Sequence, residues 1–483
     1  MDIKIGKFTL ETLTTGMYDS PKDIYREYIQ NAVDSIDSAV LQGLIKKQQG
    51  QVEIYIGKEQ KNIIITDNGT GVSSKNAQDF LLSVGNSTKI SSENRGFRGI
   101  GRLAGLAYCD ELVFETSFFG EETKTIIKFD AKELKHNLYL ISNSDNLEEI
   151  LKSVICVKSV KESRTKHYFK VSMYGVDNVD NILEIKNVNE YLSQVIPVPF
   201  SPTFKWGSFI ESKLKQQGLE VSRYKVLIKT DEEQFTIYKN YKDEFTSDRI
   251  RKISNSINDI ETKVFIDEKG IPMAFLWWAE TDFSGTIQDI TTKGIRLRKG
   301  NIQLGSYNTL NSLFKDERFN GWLIGEVHIV SPSLIPNARR DNVEKNESYY
   351  LLASQFKEWA SDISTRIRKI SVVRNTEKVN KNIENLISEG STDIDKTKAD
   401  LLPEIVLFDK NEYDDVAHSE LLRQLDVLID SKHECTKYKA LNLQTELTVE
   451  QKKILEGVFD IIKDAGKVDA DTLISMIIKG IKN

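Results

Sequence analysis

The chain is poor in cysteine, proline and long apolar runs, and each shortage excludes a class of protein. Three cysteines in 483 residues, Cys109, Cys156 and Cys435, stand far apart with no C-x-x-C pair and no histidine cluster beside them. That leaves no basis for a disulfide framework or a zinc site. Only eight prolines interrupt a sequence that carries 21 Phe, 17 Tyr and 5 Trp, so disorder is not its dominant state. No apolar stretch approaches the ~20 residues of a membrane span, and no charged segment followed by an apolar one opens the chain. A cytoplasmic protein without a membrane partner is expected. Charge of one sign is also lacking: 66 basic against 72 acidic residues give a net charge of −6. The whole-molecule field therefore does not favour nucleic acid, and any such contact must be local. The local candidate is Lys293–Gly300, where alternation puts Arg296 and Arg298 on one strand face, although such runs also form solvated faces.

What is present is a globular composition, 39% hydrophobic and 29% charged, at a length that holds two or three domains of roughly 150 residues. Residues 52–56 and 62–66 read as a β-hairpin, followed by strands near 112–118, 125–129, 153–158 and 168–173 with helical segments between them. A second α/β region carries strand patterns at 224–229, 262–266, 273–277 and 325–329. Beyond Asn342 the period changes to three and four, with Leu352, Phe356, Trp359, Ile363, Ile367 and Ile370 forming a helical stripe. A polar linker is expected near 388–402, and helical periodicity resumes at Ile454–Ile462. The resulting expectation is an α+β fold in three parts: an α/β sandwich over 1–175, a second α/β domain over 176–345, and a helical C-terminal region over 346–483.

Three motifs carry the chemistry. In Ser20–Asp34 a helix is expected to start with Ser20 as N-cap and Pro21 at the first position. Glu27, Asn31 and Asp34 follow at spacings of four and three, which puts two carboxylates and a carboxamide on one helical stripe. Such a stripe suits a magnesium-nucleotide site, and equally a solvated polar face. The strand at 62–66 then runs into Asp67-Asn68-Gly69-Thr70-Gly71, which puts an acceptor-only carboxylate at a strand end followed by two glycines. An adenine amine is a fitting partner for it, and a plain surface turn the alternative. Last, Gly96-Phe97-Arg98-Gly99-Ile100-Gly101 precedes a helix and offers glycine-freed N–H groups for phosphate. A dinucleotide fingerprint is a poor reading because no strand precedes it, and the Walker A spacing fails.

Together the motifs resemble the GHKL ATPases, the superfamily of gyrase, heat-shock protein 90, histidine kinases and MutL. Arg26-Glu27-Tyr28-Ile29-Gln30-Asn31-Ala32-Val33-Asp34 is most similar to the heat-shock protein 90 pattern. The resemblance implies a Bergerat α/β sandwich that binds ATP and Mg2+. It makes Glu27 the general base, Asn31 the magnesium ligand and Asp67 the adenine reader. Asp34, Gly69 and Gly71 would lie at the nucleotide, as would Gly96, Gly99, Ile100 and Gly101 in the lid and phosphate loop. Val84–Lys89 resembles the lid of MutL and the chaperones, so that Ser87, Thr88 or Lys89 would touch nucleotide. The adenine-side threonine would be Thr165, although Arg164 stands where the family has glycine. Asn337-Ala338-Arg339-Arg340-Asp341 resembles the chaperones' middle-domain catalytic loop, with Arg340 reaching the γ-phosphate. The implied function is an ATP-hydrolysing conformational clamp, expected as a homodimer. The alternatives are a MutL- or MORC-like clamp on nucleic acid, in a genome-defence setting, and an interaction scaffold. A client or operon partner is not readable from the chain.

Overall fold

The computed structural model describes residues 20–82, 101–139, 147–248, 250 and 252–388. The chain divides into two units, Met1–Ser371 and Val372–Asn483, and the first carries everything that follows. Its architecture is α+β, with two large sheets each covered by helices.

The first layer opens with α1 (Asp23–Leu41). It continues through β1 (Gln51–Gly57), β2 (Asn62–Asp67), α2 (Ser74–Leu82), β3 (Glu111–Ser117), β4 (Thr123–Asp130), α3 (Ala131–Tyr139), α4 (Leu147–Val154), β5 (Ile155–Lys161) and β6 (Tyr168–Tyr174). After α5 (Ile185–Val195) and α6 (Gly207–Gln216), strands β7 (Lys225–Lys229) and β8 (Gln234–Thr236) return to the same sheet. The order is β5-β4-β3-β6-β2-β1-β7-β8, with β7 parallel to β1 and the other pairs antiparallel. The inward faces of β1 and β2, Val52, Ile54, Ile63 and Ile65, pack with Ile24, Tyr28, Val33 and Ile36 of α1. Val188, Leu192, Val226 and Ile228 belong to the same core. The expected boundary at residue 175 therefore falls inside this layer, because β1 would otherwise have an unpaired edge.

The second layer is β11 (Asp259–Ile266), β12 (Pro272–Glu280), β13 (Gly294–Lys299), β14 (Ile302–Leu304) and β15 (Ile324–Ile329), in the order β11-β12-β15-β13-β14. A small hairpin, β9 (Glu244–Ser247) with β10 (Ile253–Ser256), stands apart. On one face of the sheet Ile295, Leu297, Val327 and Ile329 join Leu352, Phe356, Trp359, Ile363 and Ile367 of α7 (Glu347–Ser388) in a single core. The stripe of α7 is thus covered by its own chain and supplies no argument for self-association. The other face meets α6, where Ile210 and Leu214 pack on Trp277 and Ala279.

The basic run expected as a possible nucleic-acid contact lies on that second face, inside the protein. Arg296 and Arg298 do share a strand face, but each is only 1% exposed. Arg298 Nε is 2.6 Å from Glu326 Oε1, whose partner oxygen accepts from Lys239 Nζ at 2.7 Å and lies 3.0 Å from His328 Nε2. Burial by itself pushes the Glu326 carboxyl up, yet the Arg298 and Lys239 charges outweigh it and hold the group well below the usual carboxylate range. Arg296 donates to Gln194 Oε1 and Gln303 Oε1, and Arg298 to the Gln194 carbonyl at 2.7 Å. Gln194 lies in the last turn of α5, where cations suit both the free carbonyls and the helix dipole.

Ser87, Thr88, Lys89, Gly96, Gly99 and Ile100, the expected linker beyond Ser388, and Ile454–Ile462 lie outside the described residues.

Candidate active site

The entry to α1 differs from the expected N-cap. The helix starts at Asp23, preceded by a turn in which the Ser20 carbonyl accepts from Asp23 N–H at 3.0 Å and the Ser20 hydroxyl from Lys22 N–H at 3.3 Å. Asp23 is turned away from capping: its Oδ1 accepts from Tyr191 Oη of α5 at 2.6 Å and pairs with Arg26 Nη1 at 3.2 Å.

The polar stripe of α1 is not a solvated face. Glu27 and Asp34 are each 4% exposed, and Asn31 is half-buried. Glu27 is approached from three sides. Arg26 Nε lies 3.6 Å from its Oε1, and Arg340 Nε, from the second layer, lies 3.3 Å from the same oxygen. Behind Oε2 stands Gly101, where a β-carbon would overlap the carboxylate. Glycine at 101 therefore lets the backbone come against Glu27 directly.

Arg340 is held by its loop rather than by a regular element. Its N–H donates to the Asn337 carbonyl at 3.1 Å, and its own carbonyl accepts from Gly305 N–H at 2.9 Å. The Asn337 carboxamide bonds Asp341 on both sides, through Nδ2 to Oδ1 at 2.5 Å and through Oδ1 from the backbone N–H at 3.2 Å. Arg340 takes φ +59°, a left-handed conformation that costs a non-glycine residue about 1–2 kcal/mol. The loop bonds sustain it, and Arg339 beside it is exposed.

Asp67, at the end of β2 and 4% exposed, accepts Gly69 N–H at 2.8 Å, which fixes its side chain. The turn is seated on α1 by Thr70 N–H donating to the Ser35 carbonyl at 3.3 Å. Gly71 has φ +66° and lies so close to the Ser117 carbonyl that a β-carbon would overlap it. Thr165 is in an exposed turn, with its hydroxyl 2.9 Å from that of Ser163. The side chain that reaches the Asp67 turn from this stretch is His167, with Nδ1 2.7 Å from the Gly69 carbonyl. No spacing in the sequence signals it.

The arrangement brings a buried carboxylate, a half-buried carboxamide, a seated carboxylate turn and two arginines together around α1. Among the described residues no group of three or more His, Cys, Asp or Glu side chains could hold a metal.

Residues 20–163 match the family described as "Histidine kinase-, DNA gyrase B-, and HSP90-like ATPase", so this part of the chain is similar to the GHKL ATPase domains. Among individual proteins, the chain is similar to the "Chaperone protein HtpG" of Acinetobacter baylyi, 26% identical over 125 residues. That match covers 22% of this chain and 20% of the relative, so the chain spans about a fifth of that protein's length. Among the described residues, no helix is long and apolar enough to cross a membrane.

Proposed function

We propose that the chain is a Mg-dependent ATPase whose site is completed by the second layer, working as a conformational clamp of the heat-shock protein 90 type. The observation that carries this reading is the 3.3 Å approach of Arg340 to Glu27 across the two layers. A guanidinium and a carboxylate at this distance pair with each other. With ATP bound, the guanidinium gains the γ-phosphate as partner, and Glu27 is released to take a proton from the attacking water. Asp67 would read the adenine amine, with Asp34, Gly69 and Gly71 around the base. Gly101 would let the phosphate loop approach Glu27. Thr165 fits least well, because its hydroxyl is engaged by Ser163 in an exposed turn.

The residues fit Mg2+ in one way. Asn31 offers a single neutral oxygen from a half-buried position, and magnesium commonly takes one or two protein ligands, leaving the rest to phosphates and water. The nucleic-acid alternative loses its local support, since Arg296 and Arg298 are buried and engaged. A cytoplasmic, homodimeric protein remains part of the proposal.

The test is Arg340→Ala. It should lower steady-state ATP turnover by at least ~10²-fold, the scale of arginine contributions to phosphoryl transfer, while ADP affinity barely moves. Lysine should rescue poorly, because a point charge does not reproduce the planar fork. Full turnover by Arg340→Ala would mean that the second layer does not complete the site.

A further inference from the structure

Five cationic side chains stand out as buried in the described residues, and four of them have oxygen partners. Arg26 pairs with Asp23 and Glu27, Lys239 and Arg298 with Glu326, and Arg296 with two side-chain amides and backbone carbonyls. The fifth is Arg102. It is 8% exposed, no carboxylate among the described residues pairs with it, and its buried Nη1 has no hydrogen-bond partner. Its guanidinium carbon lies 4.4 Å from the centroid of the Phe80 ring of α2. Burial pulls its pKa down to about 10, which still leaves it charged at neutral pH.

The position of Arg102 is as telling as its isolation. It directly follows Gly101, the residue that abuts the Glu27 carboxylate. Its carbonyl accepts from Tyr28 Oη at 3.2 Å, and the same hydroxyl accepts from Gly105 N–H at 2.9 Å, so the short helical turn Gly101–Ala107 is tied to α1. A cation withdrawn from water without a counter-ion is costly, and stacking on Phe80 offsets only part of that cost. An anion bound beside Glu27 would offset the remainder. Glu27 already faces Arg26 and Arg340, and an anionic ligand beside it would gain from a further cation.

We propose that Arg102 is a phosphate ligand of the bound nucleotide, a cation whose counter-ion is the polyphosphate of ADP or ATP instead of a protein carboxylate. The proposal rests on the ATPase reading and names a residue outside the glycine pattern. It predicts opposite effects in the two states of the protein. Without nucleotide, removing the charge removes an uncompensated cation; with nucleotide, it removes a charge-assisted bond.

The experiment uses the full chain, Arg102→Met and Arg102→Lys, with thermal melting and calorimetric titration of ADP, inorganic phosphate and adenosine in the presence of Mg2+. Arg102→Met should melt at or above the wild-type temperature without ligand, bind ADP at least tenfold more weakly, and bind adenosine within twofold of wild type. Arg102→Lys should recover part of the ADP affinity. Phosphate alone binding as tightly as ADP would point to a free-anion site and overturn the nucleotide assignment. ADP affinity unchanged in Arg102→Met, or ADP and adenosine weakened alike, would overturn it as well. Should the methionine variant not fold, Arg102→Lys carries the test, with ADP weakened at least threefold and adenosine unchanged; equal affinities would refute the proposal. A wild-type chain that binds neither ADP nor ATP defeats the ATPase reading itself, a result distinct from wild-type binding that Arg102→Met leaves intact.

Discussion

At the scale of single residues, the proposed function gives binding and chemistry to different side chains, and substitutions should separate the two. Glu27→Ala should keep Mg-ATP affinity and lose about 10²–10⁴-fold in turnover, because a general base acts mainly in the transition state. Asp67→Asn should instead raise the Kd for ATP by more than about tenfold, since it gives up a charged hydrogen bond. Equilibrium binding and single-turnover rates on both variants distinguish the two roles, and equal loss of binding and rate in Glu27→Ala would make Glu27 structural. Gly101→Ala tests the close approach. Its methyl group would meet Glu27 Oε2, so the carboxylate must shift, and a displacement near 1 Å costs on the order of 10² in rate. Turnover in Gly101→Ala within twofold of wild type would show that the contact does not set the base. The stripe of Glu27, Asn31 and Asp34 was legible because helical spacing is rigid arithmetic. Arg102 was not, since a lone arginine in a glycine-rich run has no periodic partner, and its isolation exists only in three dimensions.

At the scale of elements, α5 is fastened at two points: Tyr191 bonds Asp23 of α1, and Gln194 bonds Arg296 and Arg298 of β13. Alternation in Lys293–Gly300 placed both arginines correctly on one face but could not say what covers that face. Strand sequences report sidedness, whereas burial depends on elements distant in the chain, here α5 and β15. Glu326 is the pivot of the cluster. Glu326→Gln leaves Arg298 and Lys239 without their countercharge and should destabilise the protein by about 3–5 kcal/mol. The pH dependence has a defined sign. The folded pKa of Glu326 lies below its unfolded value, so its contribution is complete above about pH 4.3 and is lost as pH falls toward the folded value. Denaturant melts at pH 7 and at pH 3.5 should show the gap between wild type and Glu326→Gln narrowing in acid. A gap of the same size at both values would mean that the carboxylate's charge is not what stabilises the cluster.

At the scale of the whole molecule, the sequence pattern conveyed the α+β class and most strands, while the joining of β7 and β8 to the first sheet depended on a parallel pairing about 170 residues apart, which no local pattern encodes. The apolar stripe of α7 is already covered, so the proposed self-association would have to come from residues beyond Ser371. In sedimentation the full chain should be dimeric and a chain ending at Ser371 monomeric; a monomeric full chain would remove dimerisation from the proposal. The order of the second sheet bears on how the protein is made. β15 is its middle strand and the last of the five in the chain, so β11 to β14 leave the ribosome while the slot between β12 and β13 is still empty. Through that interval the nascent chain exposes two facing strand edges, and Lys239 and Arg298 are present before their carboxylate. Arg298 is a cation on one of those edges, β13, and an unpaired charge there would disfavour pairing with other chains, much as edge lysines do in finished sheets. Glu326 of the closing strand then supplies the countercharge for Arg298 and Lys239. A chain stopped at Trp322 should therefore be recovered largely in the insoluble fraction, and replacing Arg298 by methionine should worsen its solubility; improved solubility would refute the guarding role.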